Sequence, residues 1–180
     1  MKLYFATGNK QKLKEVQGIL AEFDIEPIEI ALPELQGEPE EIAYEKAKIA
    51  CERTGHAIFV DDTSLVFNAW NGLPGPYVKH FIEKMGIAGL YKMLEPYTDK
   101  TGYAQVTVGF CEPEKEPLVF IGRVNGTIVP PEGSTRFHFD QIFIPDGETR
   151  RFSEMSVEEK NRISHRTQAI KKFRQWLEKK

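Results

Sequence analysis

Two hydrophobic periods alternate along this chain. Lys2-Leu3-Tyr4-Phe5-Ala6-Thr7 is a short β-type run broken by Gly8-Asn9, after which Leu13, Val16, Leu20 and Phe23 recur at steps of three, four and three. That spacing predicts strand, glycine turn and helix, with Asn9 placed to cap the helix and leave its first N–H groups to an anion. Residues 26–32 read as a second strand, interrupted early by Pro27, and 33–37 as a loop, which makes Glu34 a loop carboxylate. The next helix opens at Pro39, carries Glu40 and Glu41 in its first turn and closes at Gly55. Its Ile42, Ala43, Ala47, Ile49 and Ala50 form a small-residue stripe, with Lys46 near the edge.

The apolar run Ala57-Ile58-Phe59-Val60 stops at Asp61-Asp62-Thr63-Ser64, and a second run, Leu65-Val66-Phe67, follows. Gly72-Leu73-Pro74-Gly75-Pro76 fixes a rigid turn incompatible with a helix or an inner strand. Residues 77–85 and 87–94 form two amphipathic helices split near Gly86. Residues 103–111 alternate as a strand, and 118–123 with 127–129 flank Asn125-Gly126, a hairpin signal. A loop at 130–134 leads to Phe137-His138-Phe139-Asp140 and a last strand at 142–144. Ser156-Val157-Glu158-Glu159 is a capping box, and Ala169, Ile170, Phe173 and Leu177 continue an apolar helical face that starts near Ser164. Strands and helices in this mixed order give an α/β fold with a mixed sheet.

With 180 residues, 41% of them hydrophobic, the chain can bury one sizeable core, so residues 1–180 are expected to form a single domain. No apolar run approaches a membrane span, and Met1-Lys2-Leu3 enters a strand rather than a signal-peptide core, which predicts a cytoplasmic protein. Cys51 and Cys111 lack metal-like spacing and read as buried thiols. A net charge of −3 argues against an extended nucleic-acid footprint. The charge is nonetheless uneven: residues 22–45 hold acids and no Lys or Arg, whereas residues 160–180 hold eight Lys or Arg against Glu178.

Four features carry chemistry. Paired acids at a strand exit need cations, a metal or hydrogen bonds, and strand alternation sends Asp61 and Asp62 to opposite faces, so one of the two should do the work. Lys10, Lys12 and Lys14 crowd a helix start where the macrodipole disfavours cations, so something negative belongs nearby. His165 and Arg166 repeat the anomaly at a second helix start. Phe137 and Phe139 around His138, backed by Asp140, could stack on a base and read its edge.

Together, Thr7-Gly8-Asn9-Lys10-Gln11-Lys12-Leu13-Lys14-Glu15-Val16, Leu32-Pro33-Glu34-Leu35-Gln36-Gly37, Asp61-Asp62-Thr63, Gly72-Leu73-Pro74-Gly75-Pro76, Phe137-His138-Phe139-Asp140 and Ser164-His165-Arg166 resemble the inosine triphosphate pyrophosphatase family over nearly the whole chain. The resemblance implies an elongated mixed sheet flanked by helices, in two lobes around a central cleft. It also implies hydrolysis of ITP, dITP and XTP to the monophosphate and pyrophosphate. Thr7, Gly8, Asn9, Lys10, Gln11 and Lys12 would cradle the triphosphate, with Lys46 and Lys160 adding phosphate or sugar contacts. Glu34 and Asp62 match magnesium ligands, Asp62 also matches the general base, and Thr63 would touch substrate. Phe137, His138, Phe139 and Asp140 would line the base pocket, and His165 with Arg166 would read the purine edge. The family commonly has a small residue where His138 stands, Trp or Tyr for Phe139 and Pro for Gln141. A homodimer, no membrane and no nucleic-acid partner are implied. Two other readings fit the residues: a pyrophosphatase for modified pyrimidine nucleotides, and a silent nucleotide- or RNA-binding module using the basic C-terminal helix.

Overall fold

The computed structural model describes residues 2–132 and 139–180. Seven strands, β1 (Lys2–Ala6), β2 (Asp24–Ile28), β3 (Ile58–Phe67), β4 (Pro74–Gly75), β5 (Thr101–Cys111), β6 (Leu118–Ile128) and β7 (Phe143–Pro145), form one mixed sheet in the order β2-β1-β3-β5-β6-β7, with β4 pairing β3. β1 is parallel to β2 and β3, whereas β3–β4 and β6–β7 are antiparallel. The helices are α1 (Lys10–Ile19), α2 (Pro39–Thr54), α3 (Val78–Leu94), α4 (Val157–Ile163) and α5 (His165–Leu177). Among the described residues, no helix is long and apolar enough to cross a membrane.

The chain divides into two compact units. The first comprises Met1–Asp62, Val106–Gly122 and Arg166–Lys180. Its core stacks Phe5 on Phe59 and packs Val16 and Leu20 of α1, Val106, Val108 and Phe110 of β5, and Ile170 and Phe173 of α5. The small-residue stripe of α2 forms a second cluster, in which Ala47, Ala50 and Cys51 meet Ile58, Val60 and Cys111. Both thiols are free and buried as expected, and burial, with a hydrogen bond to Cys51, pushes Cys111 up to about 12. The second unit comprises Thr63–Gln105 and Arg123–His165, with a core of Leu65, Phe67, Val78, Leu90, Leu94, Ala104, Ile128, Phe139, Ile142, Phe143 and Phe152.

Several predicted elements form as read: α2 closes on Gly55 in the left-handed conformation (φ 69°), and α3 breaks at Gly86 (φ 72°). Other readings differ, the last strand starting at Phe143 rather than at residue 142. β3 does not stop at the acids but runs on through Asp61 to Phe67, because cationic side chains meet the carboxylates. β2 starts at Asp24 and ends at Ile28; it tolerates Pro27 because it is an edge strand that needs ladder hydrogen bonds on one side only. Pro74–Gly75 of the rigid turn adds a two-residue antiparallel strand beside Leu65 and Val66. Asn125-Gly126 is no hairpin turn, since β6 passes straight through it. There a Cβ on Gly126 would collide with the Ile144 carbonyl oxygen, so the glycine allows close approach to β7 rather than a reversal.

Candidate active site

In the first unit, Asn9 caps α1, its Oδ1 accepting from the amides of Gln11 (2.9 Å) and Lys12 (3.2 Å), while Thr7 Oγ1 accepts from the Asn9 amide (3.1 Å). The cap and an incoming anion therefore compete for the same donors, a limit the sequence did not reveal. Gly8, Asn9 and Lys10 are exposed, and Gln11 and Lys12 are partly buried.

The two adjacent acids of β3 face different partners, as strand alternation requires. The Asp61 side chain is buried, 2% exposed, and accepts from Lys12 Nζ at 2.8 Å and Arg166 Nε at 3.0 Å. Arg166 in turn donates to Glu15 Oε2 at 2.6 Å. Burial alone would raise the Asp61 pKa, but Lys12 and Arg166 outweigh it and hold the carboxyl down at about 2. Part of the negative charge expected near the α1 lysines is thus supplied by the protein itself, as Asp61 against Lys12. At the start of α5, Arg166 is compensated by two carboxylates from other elements. Glu15 stands in the motif that opens α1 without an assigned role there; its one further signal is that it is an acid next to Val16 on the buried side of an amphipathic helix.

Asp62 is more open, its side chain 25% exposed, and meets Lys46 of α2 at 2.9 Å (Oδ2) and 3.2 Å (Oδ1). The same ammonium lies 3.8 Å from Glu34 Oε2. A loop carboxylate and a strand carboxylate thus converge on one cation, and Lys46 faces them rather than solvent. Among the described residues no three His, Cys, Asp or Glu side chains cluster as a metal cage. Glu34 and Asp62 nevertheless offer oxygen donors of the kind a hard divalent cation such as magnesium takes.

In the second unit, Phe139, Asp140, Lys160 and His165 are all buried and come together. Lys160 pairs with Asp140 and lies 5.2 Å over the Phe152 ring. His165 sits with its ring centroid 5.9 Å from Phe139 and 5.8 Å from Phe152. An ion pair and an imidazole inside an aromatic cluster are costly unless compensated, which marks this cluster as a candidate site. Thr63 is partly buried on β3. Phe137 and His138 lie outside the described residues.

The model of the Ham1 family matches residues 3–176. Inosine triphosphate pyrophosphatases of Aspergillus fumigatus and Tuber melanosporum are 48% and 46% identical, over 99% and 98% of this chain and 95% and 96% of theirs. A Coxiella burnetii HAM1 protein superposes with a TM-score of 0.90 at 27% identity, covering 100% of both chains, and the Staphylococcus aureus Ham1 protein with 0.87 at 26%, covering 99% of this chain and 98% of its own. The strand–turn–helix opening, the divided acids of β3 and the buried polar cluster therefore stand in a chain that belongs to the Ham1 family.

Proposed function

We propose that this chain is a nucleoside triphosphate pyrophosphatase that hydrolyses non-standard purine nucleotides (ITP, dITP and XTP) to the monophosphate and pyrophosphate. The observation that carries the reading is the convergence of Glu34 and Asp62 on Lys46, one residue along the strand from an Asp61 already neutralised by Lys12 and Arg166. Glu34 and Asp62 would hold Mg²⁺, which when bound neutralises charge on phosphate oxygens. Asp62 accepts the proton of the attacking water at a carboxylate oxygen, a new O–P bond forms, and the bond to the bridging oxygen breaks to release pyrophosphate. The Lys10 and Lys12 ammonium groups and the α1 start stabilise charge on the leaving group, with Thr7, Gly8, Asn9 and Gln11 shaping the cradle. Lys46 contacts phosphate, and Thr63 touches substrate.

Phe139 and Asp140 contact the base, Lys160 the phosphate or sugar. His165 and Arg166 are assigned to the purine edge, with Arg166 oriented by Glu15 and Asp61. Donors there meet a 6-keto oxygen, whereas a 6-amino group leaves them unpaired at a loss of roughly 1–3 kcal/mol. We also propose a cytoplasmic homodimer; the exposed Leu73, Met85, Met93 and Tyr97 of the second unit supply apolar surface for a partner copy.

Asp62→Asn at saturating Mg²⁺ is expected to lower kcat for pyrophosphate release from ITP by about 10²–10⁴-fold with no change in fold. Near-normal turnover would overturn the assignment.

A further inference from the structure

β6 ends at Ile128, and the chain then enters Pro130-Pro131, which contribute no N–H groups. The segment is fastened by Val129, whose amide donates to the Ile142 carbonyl (2.9 Å), and by Glu132, whose amide donates to the Gln141 carbonyl (3.3 Å). These two bonds tie Val129 and Glu132 to Ile142 and Gln141, the residues that directly follow Phe139 and Asp140. Arg151, which no sequence motif singles out, adds a third fastening. Its guanidinium donates to Glu132 Oε2 (3.0 Å) and the Pro130 carbonyl (3.3 Å) and lies 3.5 Å from Glu154 Oε2, and its amide donates to the same Glu154 oxygen (2.6 Å). Ser153 Oγ donates to the Glu132 carbonyl at 3.5 Å. The next residue, Phe152, is fixed against Phe143 at 5.3 Å and His165 at 5.8 Å, so the arginine projects from an anchored backbone.

We propose that Arg151 is a positioning residue for base recognition, setting the register of residues 130–132 and, through the Glu132–Gln141 pairing, the placement of Phe139 and Asp140. The inference rests on the reading that those two residues contact the purine. The Arg151 side chain is 16% exposed but that of Glu132 is 72% exposed. A pair this open contributes little to global stability, so its loss acts locally.

The test compares Arg151→Met and Glu132→Gln with wild type, using ITP and ATP as substrates. Both variants are expected to raise KM for ITP roughly three- to tenfold, leave kcat within about twofold and narrow the ITP-over-ATP preference. Arg151→Lys is expected to fall between, the exchange Arg151→Glu with Glu132→Arg to recover at least half the loss, and hydrogen exchange at the Glu132 amide to quicken in Arg151→Met. Unchanged KM and preference in both single variants would overturn the proposal. So would a fall in kcat and melting temperature with the preference intact, the mark of a folding role. Phe139→Ala, assayed in parallel, separates the two readings: if it leaves the ITP preference unaltered, base contact by this segment is wrong whatever Arg151 does.

Discussion

Asp61 and Asp62 are chemically identical neighbours whose surroundings give them different work. Asp61, enclosed by Lys12 and Arg166, has a carboxyl held at about 2, so it stays charged throughout the working pH range and has no proton affinity to offer a reacting water. Its depressed value makes it a stability element: the contribution is present above the unfolded carboxyl's pKa and is lost as pH falls toward 2. The shift from 3.8 to about 2 corresponds to about 2 kcal/mol. Asp61→Asn leaves Arg166 and Lys12 short of a counter-charge and is expected to cost roughly 3–5 kcal/mol at pH 7 in urea unfolding. The gap between variant and wild type should narrow between about pH 5 and pH 2. A gap that does not change with pH would show that charge is not what Asp61 contributes.

At the scale of elements, the divided roles follow from β3 being one strand. Ten residues from Ile58 to Phe67 alternate faces, so α1 and α5 serve Asp61 while α2 and the Glu34 loop serve Asp62. The two helices that open with cations, α1 and α5, are the ones that supply the partners of Asp61. This could be read only in part from the chain. The strand–turn–helix opening, the α2 caps, the α3 break and the opposite facing of the acids follow from local period and turn chemistry. The continuity of β3 does not, because a strand can carry buried acids only when cations come from elements far away in sequence. Asn125-Gly126 misled for the same reason: its glycine answers to the Ile144 backbone of another strand, not to its own neighbours. Gly126→Ala is accordingly expected to destabilise the protein by about 1–3 kcal/mol through overpacking, measured by chemical denaturation. A neutral or stabilising result would restore the turn reading.

Over the whole molecule, each of the two units has its own core and its own share of polar chemistry, the first holding the acids and lysines, the second the buried Asp140–Lys160 pair and His165. A homodimer predicts a mass near twice 20.6 kDa by light scattering, and Leu73→Glu or Met93→Glu should shift it toward that of one chain. The most direct test of the central claim is a nucleotide panel (ITP, dITP, XTP, ATP, dTTP) assayed for pyrophosphate and orthophosphate with and without Mg²⁺. Stoichiometric pyrophosphate and monophosphate from ITP, dITP and XTP, dependent on Mg²⁺ and far weaker with ATP and dTTP, is the predicted result. Orthophosphate as the product, preference for dTTP, or no turnover of any member would contradict it.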